Sequence, residues 1–370
     1  MRPRGKSAVS RKKAACVSAY LNAIGTAVPD HDIHQAFIGW AEARLPTRER
    51  ALFGRMAGRA GIAHRWSVLP RATDGGSPIE PGGFYATDPL PPTSARMALY
   101  AEAAPALAEQ AVAALGNAFV ADTITHLVVA SCTGFTAPGV DQMLAARLGL
   151  SPNVERLLIG FMGCYAAVTA LRAARHIVRS EPGARILVVT VELCSLHLRP
   201  MDEIEPLLAG LLFGDGAAAA IVSADPRGLT LGPGFSTTLA EAESLITWTI
   251  GDQGFAMTLS GEVPGRIAAA LTDETTRTRL AGGDRPEEIA HWAVHAGGRS
   301  ILDAVAHGLS LDDMALSDSR DVLHAYGNMS SSTLMFVLAR ILRRGVSGPG
   351  VALAFGPGLA AEGFAFGPVA

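Results

Sequence analysis

No stretch of the chain reaches the roughly 18 consecutive apolar residues that a bilayer-spanning helix needs, so no membrane partner is expected. Cysteine is scarce: Cys16, Cys132, Cys164 and Cys194 are the only four. No two of them stand in C-x-x-C spacing, which leaves a zinc site without support. Neither sign of charge dominates, and a formal net charge of −3 gives no reason to expect nucleic acid as a partner. A secretory leader is not expected either, because Ala14 to Ala27 is interrupted by Ser18, Asn22 and Gly25 before an apolar run develops. Reduced thiols and a cytoplasmic location follow as the expectation.

What the chain does have is bulk. Of its 370 residues 49% are hydrophobic and 18% charged, enough for one large domain or two intimately packed halves. The exception is Met1 to Lys13, with Arg2, Arg4, Lys6, Arg11, Lys12 and Lys13. It reads as a solvated, disordered tail within residues 1–20, with a sorting or anionic-surface role as the alternative.

Along the chain, short apolar runs alternate with helical patterns. A strand begins at Leu21, Thr47 to Ala60 is helical in composition, and Ser67 to Thr93 reads as a surface loop rich in proline and glycine. Ala95 to Leu115 has apolar residues at helical spacing. His126 to Ala130, Arg156 to Phe161 and Arg185 to Val191 read as buried strands, with helices at Asp141 to Leu148 and Tyr165 to Arg179. The same alternation returns after about Pro226. Strands are read at Ala290–Val294, Val351–Phe355 and Glu362–Phe366, and helices at Ser300–His307 and Ser331–Leu342. This is the pattern of a layered α/β protein, with halves spanning 21–226 and 227–370.

Three residues stand where chemistry is often done. Cys164 lies where a strand turns into a helix, after Gly163, which permits a tight turn. A thiolate there is stabilised by the helix macrodipole and by free backbone N–H groups, which predicts a depressed pKa. A small buried core position accounts for the same cysteine. His295 ends a strand beside Gly297 and Gly298, a place from which side chains project into clefts. Asn328 follows Gly327 and fits a helix N-cap equally well. Taken together they explain one reaction. Cys164 attacks a thioester carbonyl, His295 takes its proton, and His295 and Asn328 donate hydrogen bonds to the resulting oxyanion or enolate.

Five segments carry a resemblance as well: Gly-Phe-Met-Gly-Cys-Tyr-Ala-Ala at 160–167, Leu-Phe-Gly-Asp-Gly-Ala-Ala-Ala at 212–219, Trp-Ala-Val-His-Ala-Gly-Gly at 292–298, Tyr-Gly-Asn-Met-Ser-Ser at 326–331 and Phe-Gly-Pro-Gly at 355–358. In this order and spacing the sequence resembles the chalcone/stilbene synthase family, the type III polyketide synthases, from about Leu21 to the C-terminus.

The resemblance implies a thiolase-like five-layer αβαβα fold with two similar halves, in a homodimer. It implies malonyl-coenzyme A and an acyl-coenzyme A starter as substrates, with no further cofactor. Cys164, His295 and Asn328 match the family's catalytic residues, and Phe213 matches its gating phenylalanine. Met257 stands at the second gating position, and Cys132 and His197 at cavity-lining positions. Arg55 and Arg59, one helical turn apart, match basic positions that meet coenzyme A phosphates. Gly297 and Ser330 fall beside the substrate. Some positions depart from plant members. Ala137 replaces a methionine that reaches across the dimer, Ala296 replaces a proline and Ala354 a glycine, while Trp248 has no secure counterpart. Met257 and Ala137 open space and His197 takes some away, which points to an aliphatic fatty-acyl starter rather than a phenylpropanoid one. Cys132 leaves tetrahydroxynaphthalene from malonyl units alone as an alternative product, and Ala296 and Ala354 leave the chemistry untouched. The alternative on the same residues is a 3-oxoacyl-[acyl-carrier-protein] synthase III-like ketosynthase.

Overall fold

The computed structural model describes residues 17–199 and 204–369. The basic segment Met1–Lys13 and Cys16 lie outside them. The first half comprises β1 (Ala19–Ala27), β2 (His31–Asp32), α1 (His34–Arg44), α2 (Thr47–Arg59), β3 (Trp66–Ser67), α3 (Thr93–Ala113), β4 (His126–Ser131) and α4 (Val140–Arg147). It continues through β5 (Glu155–Gly160), α5 (Ala166–Ser180), β6 (Arg185–Leu193), α6 (Ile204–Gly210) and β7 (Asp215–Ser223). The second half runs β8 (Leu229–Thr238), β9 (Ile246–Gly251), β10 (Gly254–Leu259), α7 (Val263–Ala270), α8 (Glu274–Leu280) and β11 (His291–Val294). It ends with α9 (Arg299–Gly308), α10 (Ser317–Tyr326), α11 (Ser331–Arg344), β12 (Gly350–Gly356) and β13 (Ala360–Gly367).

Nine strands form one sheet in the order β11-β12-β13-β8-β1-β7-β6-β4-β5, and β1 against β8 joins the halves. The two sides repeat one design. In the first half β4 is parallel to β6, which is antiparallel to β7, which is antiparallel to β1. In the second, β11, β12, β13 and β8 repeat those relations in the same order. Only β5 lacks a counterpart among the described residues.

Side-chain alternation builds the layers. Leu127, Val129, Leu187, Val189, Ala217 and Ala219 face outward onto α3 and α4. Val128, Ala130, Ile186, Val188, Ala218 and Ala220 face inward onto α5 and α11. In the second half Trp292, Val294, Val351 and Leu353 face α7 and α9, while Ala293, Ala352 and Ala354 face the central helices. Each large side chain so buried contributes about 1.5–3 kcal/mol. The small residues on the inward faces let α5 and α11 approach closely. The result is the thiolase-like α/β/α/β/α stack.

The structure departs from the sequence-based expectation at two places. Arg156 to Phe161 is not a buried strand: β5 is the sheet edge, and Leu157 and Leu158 are each 43% exposed. An apolar run looks the same whether a sheet or a second molecule covers it. Nor is the stretch between β3 and α3 a plain surface loop, since Leu69, Ala72, Ser77 and Tyr85 are buried. Its contacts are made by turns without periodicity, which leave no pattern to read. Helices α1, α6, α7, α8 and α10 and the β9–β10 hairpin were not singled out in the sequence.

Candidate active site

The repeated topology brings the sequence-predicted residues to one place. Cys132 follows β4 and His295 follows the equivalent β11. Cys164 precedes α5 and Asn328 precedes the equivalent α11. Each half therefore aims a strand end and a helix start at the interface between the halves.

Cys164 occupies the tight turn Gly163–Tyr165 ahead of α5. Gly163 has φ +71°, and a Cβ there would stand 2.4 Å from Pro357 Cδ. Gly356 packs against the Tyr165 ring in the same way. The Gly-Pro-Gly segment thus presses on the cysteine turn, and both glycines are required by close approach. On the other side, Ser330 has φ +47° and Phe161 φ +57°. Such backbone strain clusters at functional sites.

Asn328 is held by its neighbours. Its Nδ2 donates to the carbonyl of Gly297 at 3.1 Å, and its Oδ1 accepts from the N–H of Ser330 at 2.8 Å. These bonds fix the amide orientation and leave one Nδ2 hydrogen uncommitted. Its backbone pairs across to Phe213, with Asn328 N–H donating to Leu212 O at 2.8 Å and Gly214 N–H to Asn328 O at 3.0 Å. Ser330 Oγ lies 3.9 Å from Cys164 Sγ.

His295 is 2% exposed, and neither ring nitrogen has a hydrogen-bond partner. Such orphaned groups are rare in folded proteins and call for an explanation. Burial lowers its pKa to about 3. Burial also pushes the Cys164 thiol up to about 12, with the Ser330 hydrogen bond opposing the rise. The depressed thiol pKa expected from the helix N-terminus is therefore not found: desolvation by burial is the largest influence on it. Cysteine and histidine both rest neutral.

A cavity of ≈190 Å³ adjoins this set through Gly163, Ser330, Pro357 and Phe213. Cys132, His197 and Met257 line it, as the sequence suggested. His197 Nε2 donates to Thr133 O at 2.7 Å and Nδ1 accepts from Phe255 N–H at 3.0 Å, which sets one neutral tautomer. Burial holds its pKa at about 3. Cys132 Sγ accepts from Gly163 N–H at 2.9 Å and so touches the cysteine turn directly.

Phe255 was missed in the sequence as a wall residue, whereas Trp248, noted there without a secure counterpart, does line the cavity. Phe255 stacks on the His197 ring at 4.3 Å, and Trp248 meets the same ring edge-on at 5.4 Å. Trp248 Nε1 donates to Cys132 O at 2.9 Å and stands opposite Met257 in the hairpin. Glu192 was also missed. It is fully buried and accepts from Cys132 N–H and Thr133 Oγ at 2.9 Å each, and from Ser331 Oγ. It ties the turn after β4 to the start of α11, and burial raises its pKa to about 7. An acid at the end of the apolar strand Arg185–Leu193 was the available signal. Arg55 and Arg59 are exposed on α2 and do not line the cavity.

Among the described residues, no cluster of His, Cys, Asp or Glu side chains is arranged to hold a metal ion, and no helix is long and apolar enough to cross a membrane.

Residues 6–226 match the family model for the chalcone and stilbene synthases, N-terminal domain, and residues 231–370 that for the C-terminal domain. The chain is 37% identical over 262 residues to the alpha-pyrone synthesis polyketide synthase-like Pks18 of Mycobacterium tuberculosis, covering 68% of this chain and 67% of that protein. It is 35% identical over 258 residues to type III polyketide synthase C of Arabidopsis thaliana, covering 66% of this chain and 67% of that protein. A crystal structure of PKS-I from the brown alga Ectocarpus siliculosus superposes with a TM-score of 0.85 at 30% identity, over 97% of this chain and 100% of the other.

Proposed function

The chain belongs to the chalcone and stilbene synthase family, the type III polyketide synthases, and from that premise we propose which residues run its reaction and on what substrates. Cys164 is the nucleophile. Its sulfur attacks the thioester carbonyl of an acyl-coenzyme A while His295 takes the thiol proton. Coenzyme A leaves as the thiol, with that proton, and the acyl group stays on Cys164. Malonyl-coenzyme A then loses carbon dioxide, and its thioester oxygen carries the enolate charge. His295 and the free Nδ2 hydrogen of Asn328 donate to that oxygen. The enolate carbon attacks the acyl carbonyl, a C–C bond forms and the C–S bond to Cys164 breaks. Repetition and cyclisation give a pyrone, resorcinol or related product. Decarboxylation supplies the carbanion, so the reaction as written calls for no cofactor.

One observation carries these assignments: a buried imidazole with both nitrogens unpartnered, two residues before the Gly297 carbonyl that orients the Asn328 amide. A ketosynthase fed by a carrier protein is disfavoured by the family matches to both halves.

Phe213 acts as the gate, since it lines the cavity and its backbone is pinned to Asn328. Arg55 and Arg59 meet coenzyme A phosphates from outside the cavity, which suits their exposure. The enzyme works as a homodimer in the cytoplasm. Support for the dimer is the unpaired edge of β5, with Leu157, Leu158 and the neighbouring Phe135 exposed. Such an edge calls for a covering partner, and a second copy of the chain supplies a matching one. Support for the compartment is the coenzyme A chemistry and the free thiols of Cys132, Cys164 and Cys194.

The starter is an aliphatic acyl chain. His197, Phe255 and Trp248 line the cavity, and Ile33, Phe37, Leu69 and Ile79 make much of the remaining wall apolar. The naming of a relative for alpha-pyrone synthesis agrees with this class of product. The test is kcat/KM for malonyl-, acetyl-, medium-chain, long-chain and aromatic coenzyme A esters, with carbon dioxide and free coenzyme A as readouts. Medium- and long-chain esters should lead. Turnover of malonyl-coenzyme A alone, with those esters inert, would contradict the fatty-acyl reading.

A further inference from the structure

Two residues that line this cavity also carry a buried polar atom with no hydrogen-bond partner: Arg65, at Nη2, and Ser77, at its hydroxyl. Arg65 is 2% exposed and Ser77 6%. The rest of the Arg65 guanidinium is committed. Nε donates to His34 Nδ1 at 3.0 Å, and Nη1 donates to Gly210 O at 2.9 Å and Phe213 O at 2.8 Å. The ring of Phe37 lies 4.6 Å from its Cζ.

The guanidinium makes no ion pair among the described residues. Asp32 accepts only from the Arg65 backbone N–H, at 3.2 Å, and Asp215 is taken up by Ser195 and Val68. Asp32 and Asp215 act on its charge from a distance, but a buried Nη2 donor without a hydrogen-bond partner is still costly unless an acceptor arrives. Its position matters too. A Cβ on Gly327 would stand 3.0 Å from Arg65 Cγ, so the arginine stem lies against the residue preceding Asn328. Ser77 approaches from the loop between β3 and α3. Its backbone N–H is held by the exposed Glu80 carboxylate, while its hydroxyl has no protein partner.

We propose that Arg65 Nη2 and Ser77 Oγ form a carboxylate-binding subsite in the cavity wall, separate from Cys164, His295 and Asn328. Guanidinium and hydroxyl donors in a dry wall suit a carboxylate best. It has two sources in this chemistry: the free carboxylate of the malonyl extender, or the distal carboxylate of a dicarboxylic starter. The subsite acts in binding. A carboxylate held there is stabilised before reaction, so the interaction lowers KM rather than raising kcat.

The inference rests on the acyl-thioester reading of the site, and the test separates the two. Ser77→Ala removes a hydroxyl that bonds nothing in the protein, so folding is spared. Arg65→Gln keeps donors for the carbonyls and removes the charge, and Arg65→Lys restores a cation. One arm measures KM and kcat for malonyl-coenzyme A with a fixed starter. The other compares kcat/KM for starters of equal length ending in methyl or in carboxylate. A hydrogen bond to a charged group corresponds to about 10- to 100-fold. Ser77→Ala should lose about tenfold and Arg65→Gln up to about a hundredfold in one arm, with partial recovery in Arg65→Lys. Loss confined to malonyl KM identifies the extender; loss confined to the methyl–carboxylate ratio identifies the starter. A Ser77→Ala enzyme unchanged in both arms overturns the proposal, whatever Arg65→Gln does. Failure of acyl loading on Cys164 in the unmodified enzyme would instead overturn the underlying reading.

Discussion

Cys164 and His295 rest as a neutral pair because burial raises the thiol and lowers the imidazole. A thiol held this high is protected from casual oxidation and becomes nucleophilic only as its proton moves to His295. In the proposed reaction Asn328 serves the enolate oxygen and not the attack, so the two residues should separate by step. Cys164→Ala should abolish acyl loading, whereas Asn328→Ala should slow malonyl decarboxylation by about 10²–10³-fold with loading retained. Rapid-quench measurement of labelled acyl-enzyme and carbon dioxide checks both. Loading lost equally in Asn328→Ala would remove the division of labour. Gly163→Ala tests the turn itself: with φ +71° and Pro357 in the way, it should lower stability by about 1–3 kcal/mol and reduce loading. Unchanged urea unfolding of Gly163→Ala would show that the turn tolerates a side chain. The places of Cys164, His295 and Asn328 at strand ends and helix starts were legible in the sequence because glycines mark the turns beside them. Glu192, Arg65 and Phe255 were not, because their partners are brought together only by the fold: Glu192 meets Cys132 and Ser331 across separations of 60 and 139 residues.

At the scale of elements, strands β4, β6, β11, β12 and β13 and helices α2, α3, α5 and α11 were legible to within a few residues, because their apolar periodicity is strong. Periodicity says nothing of neighbours, which is why β5 read as buried although one of its edges is open. That edge is where the dimer is tested. Leu157→Asp with Leu158→Asp should shift the protein from dimer to monomer in analytical ultracentrifugation, since like charges would then line an interface two copies share. A dimer that persists at micromolar concentration in the double variant would place the interface elsewhere. The β9–β10 hairpin was illegible for a different reason. Its residues Trp248 and Met257 are half-buried against a cavity, not a core, so no simple alternation marks them.

For the molecule as a whole, buried titratable groups set the pH dependence of stability. His34, His197 and His295 are held at about 4, 3 and 3 by burial, below the ~6.5 of an unfolded histidine. Their contribution is fully present above that value and is lost as pH falls. Glu192 and Asp215, raised by burial to about 7 and about 6, act in the opposite sense, taking up protons in the folded state. Three histidines against two acids leave the unfolded chain binding about one more proton near pH 5. Stability should therefore fall by ~1.4 kcal/mol per pH unit as pH drops from about 6 to 5. Urea unfolding midpoints at the two pH values check this, and a midpoint that holds or rises at pH 5 would contradict it. The central claim is nearer the chemistry: one cysteine, at the meeting of two repeated halves, carries the growing chain. Its most direct test is the intact mass of the protein after brief exposure to a medium-chain acyl-coenzyme A, followed by peptide mapping. The account predicts a single acyl adduct on Cys164, discharged by malonyl-coenzyme A with release of carbon dioxide, and no adduct in Cys164→Ala. An adduct that maps to Cys132 or Cys194, or that survives in Cys164→Ala and still discharges, would contradict it.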